Sequence, residues 1–193
     1  PRVVLLSSIG AHIGDERIIG PIIKSHDLEQ VFFPLTSQGV AVHSVRAGYF
    51  AENTLSAVSY AQTSSTFNAL LPLDTSLPVI ATKDIGIAVA RLLTDKTSGL
   101  RILELEGPSY LTHHDIASAY FKLIGKTLPV AALPRETGES ALTSAGLSQA
   151  YATWFLDMLA SFTDGSLRYE GGHEHAKGTQ TYEEFLAEVL AKH

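Results

Sequence analysis

The sequence contains no cysteine. Without thiol groups the chain forms no disulfide and no thiolate metal site, so its fold must rest on a hydrophobic core. The absence of disulfides agrees with a reducing compartment, and we predict a cytoplasmic protein.

Long apolar runs and clusters of positive charge are also missing. The longest apolar runs, residues 3–6 and 85–90, are far shorter than the roughly 20 residues that span a bilayer, so no membrane partner is expected. The formal net charge is −6 and the Lys and Arg residues are scattered along the chain, which leaves no basic face for nucleic acid. We therefore expect a small-molecule substrate or another protein as the partner.

The sequence also lacks the glycine-rich turn that lets a backbone approach the pyrophosphate of a dinucleotide. Neither Gly-x-Gly-x-x-Gly nor Gly-x-x-Gly-x-x-Gly follows any predicted strand. In addition, Pro1 and Arg2 are followed at once by a strand-like run. We therefore expect a sequence that begins inside a domain, after the half that would carry such a turn.

What is present begins with a strand, a helix and a second strand. Residues 3–6 form a continuous Val and Leu run, typical of a strand buried on both faces of a parallel sheet. The helical pattern of residues 25–32 has apolar positions that include Leu28 and Val31, and residues 40–45 alternate as a strand does. Together they predict one right-handed βαβ unit.

The rest of the chain predicts shorter elements. They are a helix over 52–62, a polar surface loop or substrate-side insertion over 63–78, a strand over 77–81, a helix capped by Thr82 that runs to residue 93, a strand over 101–105, a helix over 112–125 with a capping box at Thr112, a strand near 130–133, helices over 136–145 and 148–162, and a helix over 182–190 with a capping box at Thr181. The predicted fold class is α/β: a partial Rossmann-type parallel sheet without its glycine-rich N-terminal half, plus a small, mainly helical C-terminal substrate lobe. We expect a single unit, residues 1–193, in which residues 1–60 form the C-terminal part of the Rossmann-type domain and residues 61–193 form a mixed substrate-side region.

Several short motifs occur in a fixed order along the chain. They are residues 3–11, the helix containing Leu28-Glu29, residues 46–53, the helix start Thr82-x-Asp84-Ile85-Gly86, and Thr181-x-Glu183-Glu184-Phe185. In this order, from residue 3 to about residue 189, they resemble the NmrA-like family of atypical short-chain dehydrogenases/reductases. The resemblance implies NADP or NAD as the cofactor of a complete member, and either quinone or azo-type reduction or redox-sensing regulation as its function.

The first candidate site lies where the first predicted strand ends. Ser7, Ser8 and Ile9 stand at its carboxyl end, where open α/β sheets bind ligands. The resemblance implies that they contact the cofactor and that a serine here, Ser8, hydrogen-bonds a substrate carbonyl. The alternative is that small hydroxyl residues finish a buried strand and satisfy local backbone groups.

The second candidate site is the turn after the second strand, which resembles the family's turn bordering the nicotinamide. The implied cofactor contacts there are Arg46, Gly48, Tyr49 and Phe50. Gly48 would let the backbone approach the ring, and an aromatic side chain would cover it. The alternative is a turn whose aromatic residues pack into the core. Asn53, one helical step further on, is expected to face the substrate.

A catalytic pair common in short-chain reductases is missing. These enzymes usually carry Tyr-x-x-x-Lys, in which the lysine lowers the pKa of the tyrosine. With Glu29 placed on the family's helix glutamate, Pro21 and Ser25 stand at those two positions. His26 is then the candidate acid beside Ser8, with a solvent-facing histidine as the alternative. Hydride transfer to a quinone-like acceptor, with the proton taken from water, needs less of the protein than carbonyl reduction does.

The remaining histidines raise the question of a metal site. His113-His114 and the pair His173 and His175 have no evident third ligand, so we predict no metal and interpret all four as solvated surface residues. The aromatic pattern around Trp154 is typical of a core helix or a dimer face.

The expected function is that of an NAD(P)H-dependent oxidoreductase acting on a small quinone-like or other electrophilic acceptor, here without its pyrophosphate-binding half. Because the catalytic pair is missing, the assignment as an enzyme stays open. A non-enzymatic NAD(P)-sensing regulator is the first alternative. The second is a cofactor-free remnant that forms a homodimer through an exposed edge strand.

Overall fold

A computed structural model describes residues 1–191 and shows a parallel sheet with helices on both faces. In chain order the elements are β1 (Arg2–Ser8), α1 (Glu16–Ile19), α2 (Ile23–Phe32), β2 (Ala41–Ala47), β3 (Tyr49–Phe50), α3 (Leu55–Thr63), β4 (Phe67–Ala69), β5 (Val79–Ile80), α4 (Thr82–Thr94), β6 (Leu100–Glu106), α5 (His113–Ile124), β7 (Val130–Ala132), α6 (Arg135–Ser144), α7 (Gln149–Thr163), β8 (Glu174–Lys177) and α8 (Tyr182–Leu190). Short 3-10 segments, Gly20–Ile22, Phe33–Gln38 and Ala51–Thr54, flank α2 and α3. The predicted α/β class and the βαβ unit β1-α2-β2 are confirmed.

The main sheet has the strand order β1-β2-β6-β8, and every neighbouring pair is parallel. Alternate residues of β2 point to opposite sides of this sheet. Ser44 and Arg46 point towards α2, whereas Val45 and Ala47 pack with side chains of α4. We call the side that packs on α2 the polar face and the side that packs on α4 the apolar face.

Most of the core lies between the helices that follow the sheet. Phe67, Tyr120, Leu159 and Leu186 are each at most 1% exposed and belong to one apolar cluster that joins β4, α5, α7 and α8. A smaller cluster lies between α4 and the apolar face. The mainly helical C-terminal part therefore has its own buried interior, packed against the carboxyl side of the sheet.

The predicted loop over 63–78 is wrong. It contains β4, which pairs in parallel with β7, and both Phe67 and Leu77 are fully buried. The ring of Phe67 packs against Tyr120 and Phe121, which lie more than fifty positions further along the chain. The polar residues around this strand give no local strand pattern. Its three residues are stabilised by contacts that are distant in sequence, which a local pattern does not report.

Two predictions about which side chains are buried are also wrong. Leu28 and Val31 of α2 are 45% and 64% exposed, and Glu29 between them is 1% exposed. Leu6 of β1 is 50% exposed, because β1 is an edge strand that pairs on one side only within residues 1–191. An edge strand of this kind matches the geometry assumed in the homodimer alternative, but dimerisation itself stays a prediction.

Of the three predicted helix caps, two are confirmed and one is wrong. Both capping boxes are confirmed, with Thr112 pairing Asp115 and Thr181 pairing Glu184. The predicted cap of α4 is wrong: Ala81 is the N-cap, and Thr82 lies inside the first turn and donates hydrogen bonds from its amide and hydroxyl to Glu52. Within residues 1–191, no helix combines the length and apolar character needed to cross a membrane.

The residues around His173 and His175 are exposed, but the sequence did not predict that they form a strand. They include β8, which adds a fourth parallel strand to the main sheet beside β6. Its sequence, Glu-His-Ala-Lys, has almost no apolar content because it forms the outer edge of the sheet.

Candidate functional site

A row of polar side chains crosses the carboxyl end of the sheet on its polar face. The strand register places Ser7 beside Arg46, Arg46 beside Glu104, and Glu104 beside His175. Ligands of open α/β sheets bind at this edge, outside the carboxyl ends of the strands. The sheet therefore gathers four polar residues, distant in sequence, at the edge where a ligand is expected.

The buried carboxylate of Glu29 organises one half of this row. It accepts hydrogen bonds from the hydroxyls of Ser7 and Ser44, both at 2.7 Å, and from Nε and Nη2 of Arg46 at 3.0 and 2.7 Å. Burial by itself would raise the pKa of Glu29, but the hydrogen bonds from Arg46, Ser7 and Ser44 outweigh it and hold that pKa below its usual value. The carboxylate and the guanidinium form a buried, mutually neutral pair.

The other half of the row holds a segment of residues 167–173, which we call the covering segment. The amides of Glu170 and Gly171 donate to Oε1 of Glu104 at 2.8 and 3.0 Å, and Glu104 is 1% exposed. The hydroxyl of Tyr169 donates to the carbonyl of Leu105 at 2.8 Å. Hydrogen bonds to the Glu104 carboxylate and the Leu105 carbonyl thus hold the covering segment across the carboxyl ends of the strands.

The loop after β1 also fits closely beneath the covering segment. Gly10 has a φ of +81°, and a Cβ there would lie 2.1 Å from Cδ1 of Leu167. The positive φ favours glycine at position 10, and a Cβ there would also force the Leu167 side chain to shift. The sequence therefore provides a glycine for packing at the place where a dinucleotide-binding turn would provide one for a ligand.

The three predicted residues of the first site differ in whether their polar groups are already hydrogen-bonded. The Ser7 hydroxyl is used inside the buried network, and Ile9 is 3% exposed, with its amide donating to the carbonyl of Ala47. Ser8 is half-buried, and its hydroxyl has no hydrogen-bond partner among residues 1–191. Of the three side chains, Ser8 is the one with an unused polar group.

At the second site, the contacts are those of a turn whose aromatic residues pack into the core. A Cβ at Gly48 would lie 2.3 Å from the carbonyl oxygen of Pro78, so the space in front of this glycine holds another part of the chain. The Tyr49 ring packs edge-on against Phe162, and burial raises the pKa of Tyr49 to about 12. Phe50 packs against the smaller apolar cluster.

Arg46 and Asn53, the other two predicted residues, differ in their exposure to solvent. Arg46 is 3% exposed and is held by Glu29 and Glu170 rather than extended towards an open cleft. Asn53 is exposed in the 3-10 segment after β3. The cofactor and substrate roles of these residues stay predictions.

The histidines at this edge have distinct surroundings. His26 contacts the carbonyl of Ala11 through Nδ1 at 2.7 Å, so it supports the loop after β1. His12 in that loop was not predicted: its Nδ1 is buried without a hydrogen-bond partner in the described part of the chain. Burial lowers the pKa of His12, Glu170 opposes this effect, and Arg46 adds to it. A single histidine after a strand carries no motif that would have identified it.

The histidines considered as metal ligands have different surroundings. His173 bonds Glu170 at 2.9 Å, and His175 lies 3.3 Å from Glu106. His113 is 8% exposed, which contradicts its predicted solvation, and burial lowers its pKa to about 4. Across residues 1–191, no group of three His, Asp or Glu side chains is placed to hold a metal ion.

Comparison with known proteins identifies the family. The sequence model of the NmrA-like family matches residues 35–186. No curated protein sequence is significantly similar to the chain. Among solved structures, an NADPH-dependent quinone oxidoreductase from Escherichia coli superposes with a TM-score of 0.75 and 21% identity, covering 98% of this chain and 67% of that one. The same comparison with its NADPH complex covers 65% of that chain.

A more distant structure gives the same result for the fold. Triphenylmethane reductase from a Citrobacter species superposes with a TM-score of 0.69 and 12% identity, covering 98% of this chain and 65% of that one. This chain thus spans about two thirds of the length of these structures. The likeness confirms the Rossmann-type fold, and the family match over most of the sequence confirms the resemblance found in its motifs. The chain belongs to the NmrA-like family.

Proposed function

We propose that this chain forms the nicotinamide-facing and substrate-facing part of an NAD(P)H-dependent reductase that acts on a small quinone-like or other electrophilic acceptor. The supporting observation is the carboxyl edge of the parallel sheet, where Ser8 and His12 carry polar atoms with no partner among residues 1–191. Two similar structures support the proposal, since one is an NADPH-dependent quinone oxidoreductase and the other is a triphenylmethane reductase in complex with NADP(H).

The residues of this edge fit one end of the cofactor. The oxygen of the Ser8 hydroxyl can accept from an amide such as that of nicotinamide, which leaves its proton for a substrate oxygen, and the His12 Nδ1 can hydrogen-bond the same amide. The pyrophosphate end has no such match. Gly10 and Gly14 follow β1, but Leu167 and the His26 ring fill the space in front of them, so within the described residues these glycines offer no cradle for phosphate.

The proposed chemistry depends on which polar atoms of each residue are not already hydrogen-bonded within the chain. When bound, NAD(P)H supplies the hydride. Ser8 is the donor for the acceptor oxygen, and the Glu29–Arg46 pair keeps the edge rigid without adding net charge. His26 has Nδ1 engaged with the loop, so only its Nε2 can exchange a proton with solvent or an acceptor.

The missing tyrosine and lysine limit the class of acceptor. Pro21 lies in the 3-10 segment before α2 and cannot donate a proton, and Ser25 replaces the lysine. A quinone-like acceptor accommodates this loss, because the oxyanion formed on hydride addition is stabilised by its own ring and takes a proton from water. An aldehyde or ketone would need the tyrosine and lysine that Pro21 and Ser25 replace.

NADPH oxidation in the presence of menadione, a small quinone, tests the proposal. The assay uses this chain and, in parallel, the longest polypeptide that its gene encodes around it. We expect turnover with the longer polypeptide, and we expect Ser8→Ala to lower kcat/KM by about tenfold to hundredfold because one oriented hydrogen bond to the reduced oxygen is lost.

Ser37→Ala is the matched control, since Ser37 is an exposed serine whose hydroxyl donates to the carbonyl of Pro34. It should leave turnover unchanged. NADPH binding without oxidation across a panel of quinones would instead support the regulatory alternative. Failure of both polypeptides to bind NADPH would refute the proposal.

A further inference from the structure

The guanidinium of Arg46 has one more anionic partner than its charge requires. Glu29 already neutralises it through Nε and Nη2, and both side chains are at most 4% exposed. Its third nitrogen position, Nη1, donates to Oε2 of Glu170. The side chain of Glu170 is 42% exposed, so this second carboxylate lies at the surface end of a buried ion pair.

The Glu170 carboxylate occupies a small pocket of basic groups. The same Oε2 contacts Nε2 of His173 at 2.9 Å. His12, with its unpartnered Nδ1, lies within electrostatic range of this carboxylate, and Arg46 and Arg168 both lie within electrostatic range of His12. The surroundings therefore suit one negative charge, and the chain supplies that charge itself.

The backbone of the covering segment does not depend on this side chain. The amides of Glu170 and Gly171 are held by Glu104, and Tyr169 is held by the carbonyl of Leu105. The carboxylate can consequently rotate into solvent while the covering segment stays in place. Nη1 of Arg46 would then be open at the carboxyl edge of the sheet.

We propose that Arg46, His12 and His173 form an oxyanion-binding site in which the Glu170 carboxylate is a replaceable internal occupant, displaced by a small monocarboxylate ligand. Exchange of one carboxylate for another leaves the local charge unchanged. A phosphate dianion would add a second negative charge close to Glu29 and Glu104 and would be disfavoured. The site shares His12 with the proposed reductase, but its test measures carboxylate binding and not NADPH oxidation, so the failure of one proposal is distinguishable from the failure of the other.

Chemical rescue in a Glu170→Ala variant tests the site. Removal of Glu170 leaves Nη1 of Arg46 without its partner, so Tm should fall. Acetate should then raise Tm with the logarithm of its concentration above Kd, by about 3–6 °C at about ten times its Kd, because it binds only the folded state. Formate should act in the same way, and inorganic phosphate should give a smaller rise.

Glu174→Ala is the matched control, because it removes a carboxylate that accepts from Nε of Arg101 at 2.7 Å on the other face of the sheet. Acetate should raise its Tm no more than that of the unmodified chain. Equal rises in the two variants would show a general salt effect and overturn the proposal.

A second readout keeps the test valid if Glu170→Ala folds poorly. The Nε–Hε NMR signal of Arg46 in the unmodified chain should shift on addition of acetate, with half-saturation at a higher concentration than in the variant because Glu170 competes. His12→Phe should weaken acetate binding in the Glu170→Ala background. An Arg46 signal that ignores acetate in the unmodified chain would refute displacement of Glu170.

Discussion

The two faces of the main sheet are built from the same strands and are stabilised in opposite ways. On the polar face, β2 directs Ser44 and Arg46 into hydrogen bonds with a single buried carboxylate, that of Glu29. On the apolar face, the residue between them, Val45, packs with Leu103 and other side chains of a fully apolar cluster. The apolar face depends on buried area, whereas the polar face depends on each donor meeting its acceptor.

The largest expected effect comes from breaking the polar face at its cation. Arg46→Met keeps a long side chain but leaves Glu29 ionised, buried and without a positive partner. Removing one member of a buried pair in this way costs about 3–5 kcal/mol, so the free energy of unfolding in urea at pH 7 should fall by that amount.

A double variant separates charge from packing in this experiment. Glu29→Leu together with Arg46→Met replaces the pair by apolar side chains and should recover most of the lost stability, because no buried charge then lacks a partner. If the double variant is as unstable as Arg46→Met, the buried charge of Glu29 is not the cause of the loss.

The apolar face contains a buried polar side chain without a partner in the described part of the chain, and removing it should have a smaller effect of opposite sign. His43 lies two residues before Val45 on the same side of β2, is fully buried, and has no hydrogen-bond partner for either ring nitrogen among residues 1–191. His43→Leu has a similar volume and removes both unpaired groups, so the free energy of unfolding should rise by about 1–2 kcal/mol.

The exposed His114 provides the control for this substitution. His114→Leu, with its side chain 54% exposed, should change stability little. A loss of stability in His43→Leu would show that the His43 ring contributes packing or bonding that leucine cannot replace.

The same contrast explains what could be predicted from the sequence. The capping boxes were correct because their partners, Thr112 with Asp115 and Thr181 with Glu184, are three residues apart and depend on local geometry. The strands of the βαβ unit were correct because β1 has the continuous apolar run of a parallel strand and β2 alternates, and both patterns are local.

The errors arose where the partners are distant in sequence. The helical pattern of α2 favoured Leu28 as its buried face, but the partners of Glu29 lie 15 to 22 residues away and reverse the outcome. Of the site residues, Ser8 was predicted from its place at a strand end, whereas Arg46 meets Glu170 across 124 positions. No local pattern reports such a pair, and none reported His12.

The pH dependence of stability should give the smallest of these effects and the finest test of the polar face. The pKa of Glu29 is lower in the folded chain than in the unfolded one, where an ordinary value of about 4.3 applies. Its contribution is therefore fully present above the unfolded pKa and is lost as pH falls through the folded pKa. Urea unfolding between neutral pH and about pH 3 should show stability falling with pH, and Glu29→Gln should be less stable at neutral pH but lose less on acidification.

An exposed glutamate calibrates that measurement. Glu136→Gln, on the surface of α6, should keep the pH profile of the unmodified chain. If Glu29→Gln keeps that profile as well, then the Glu29 carboxylate is not stabilised by its buried donors. The polar face would then be held in the way the apolar face is, by packing.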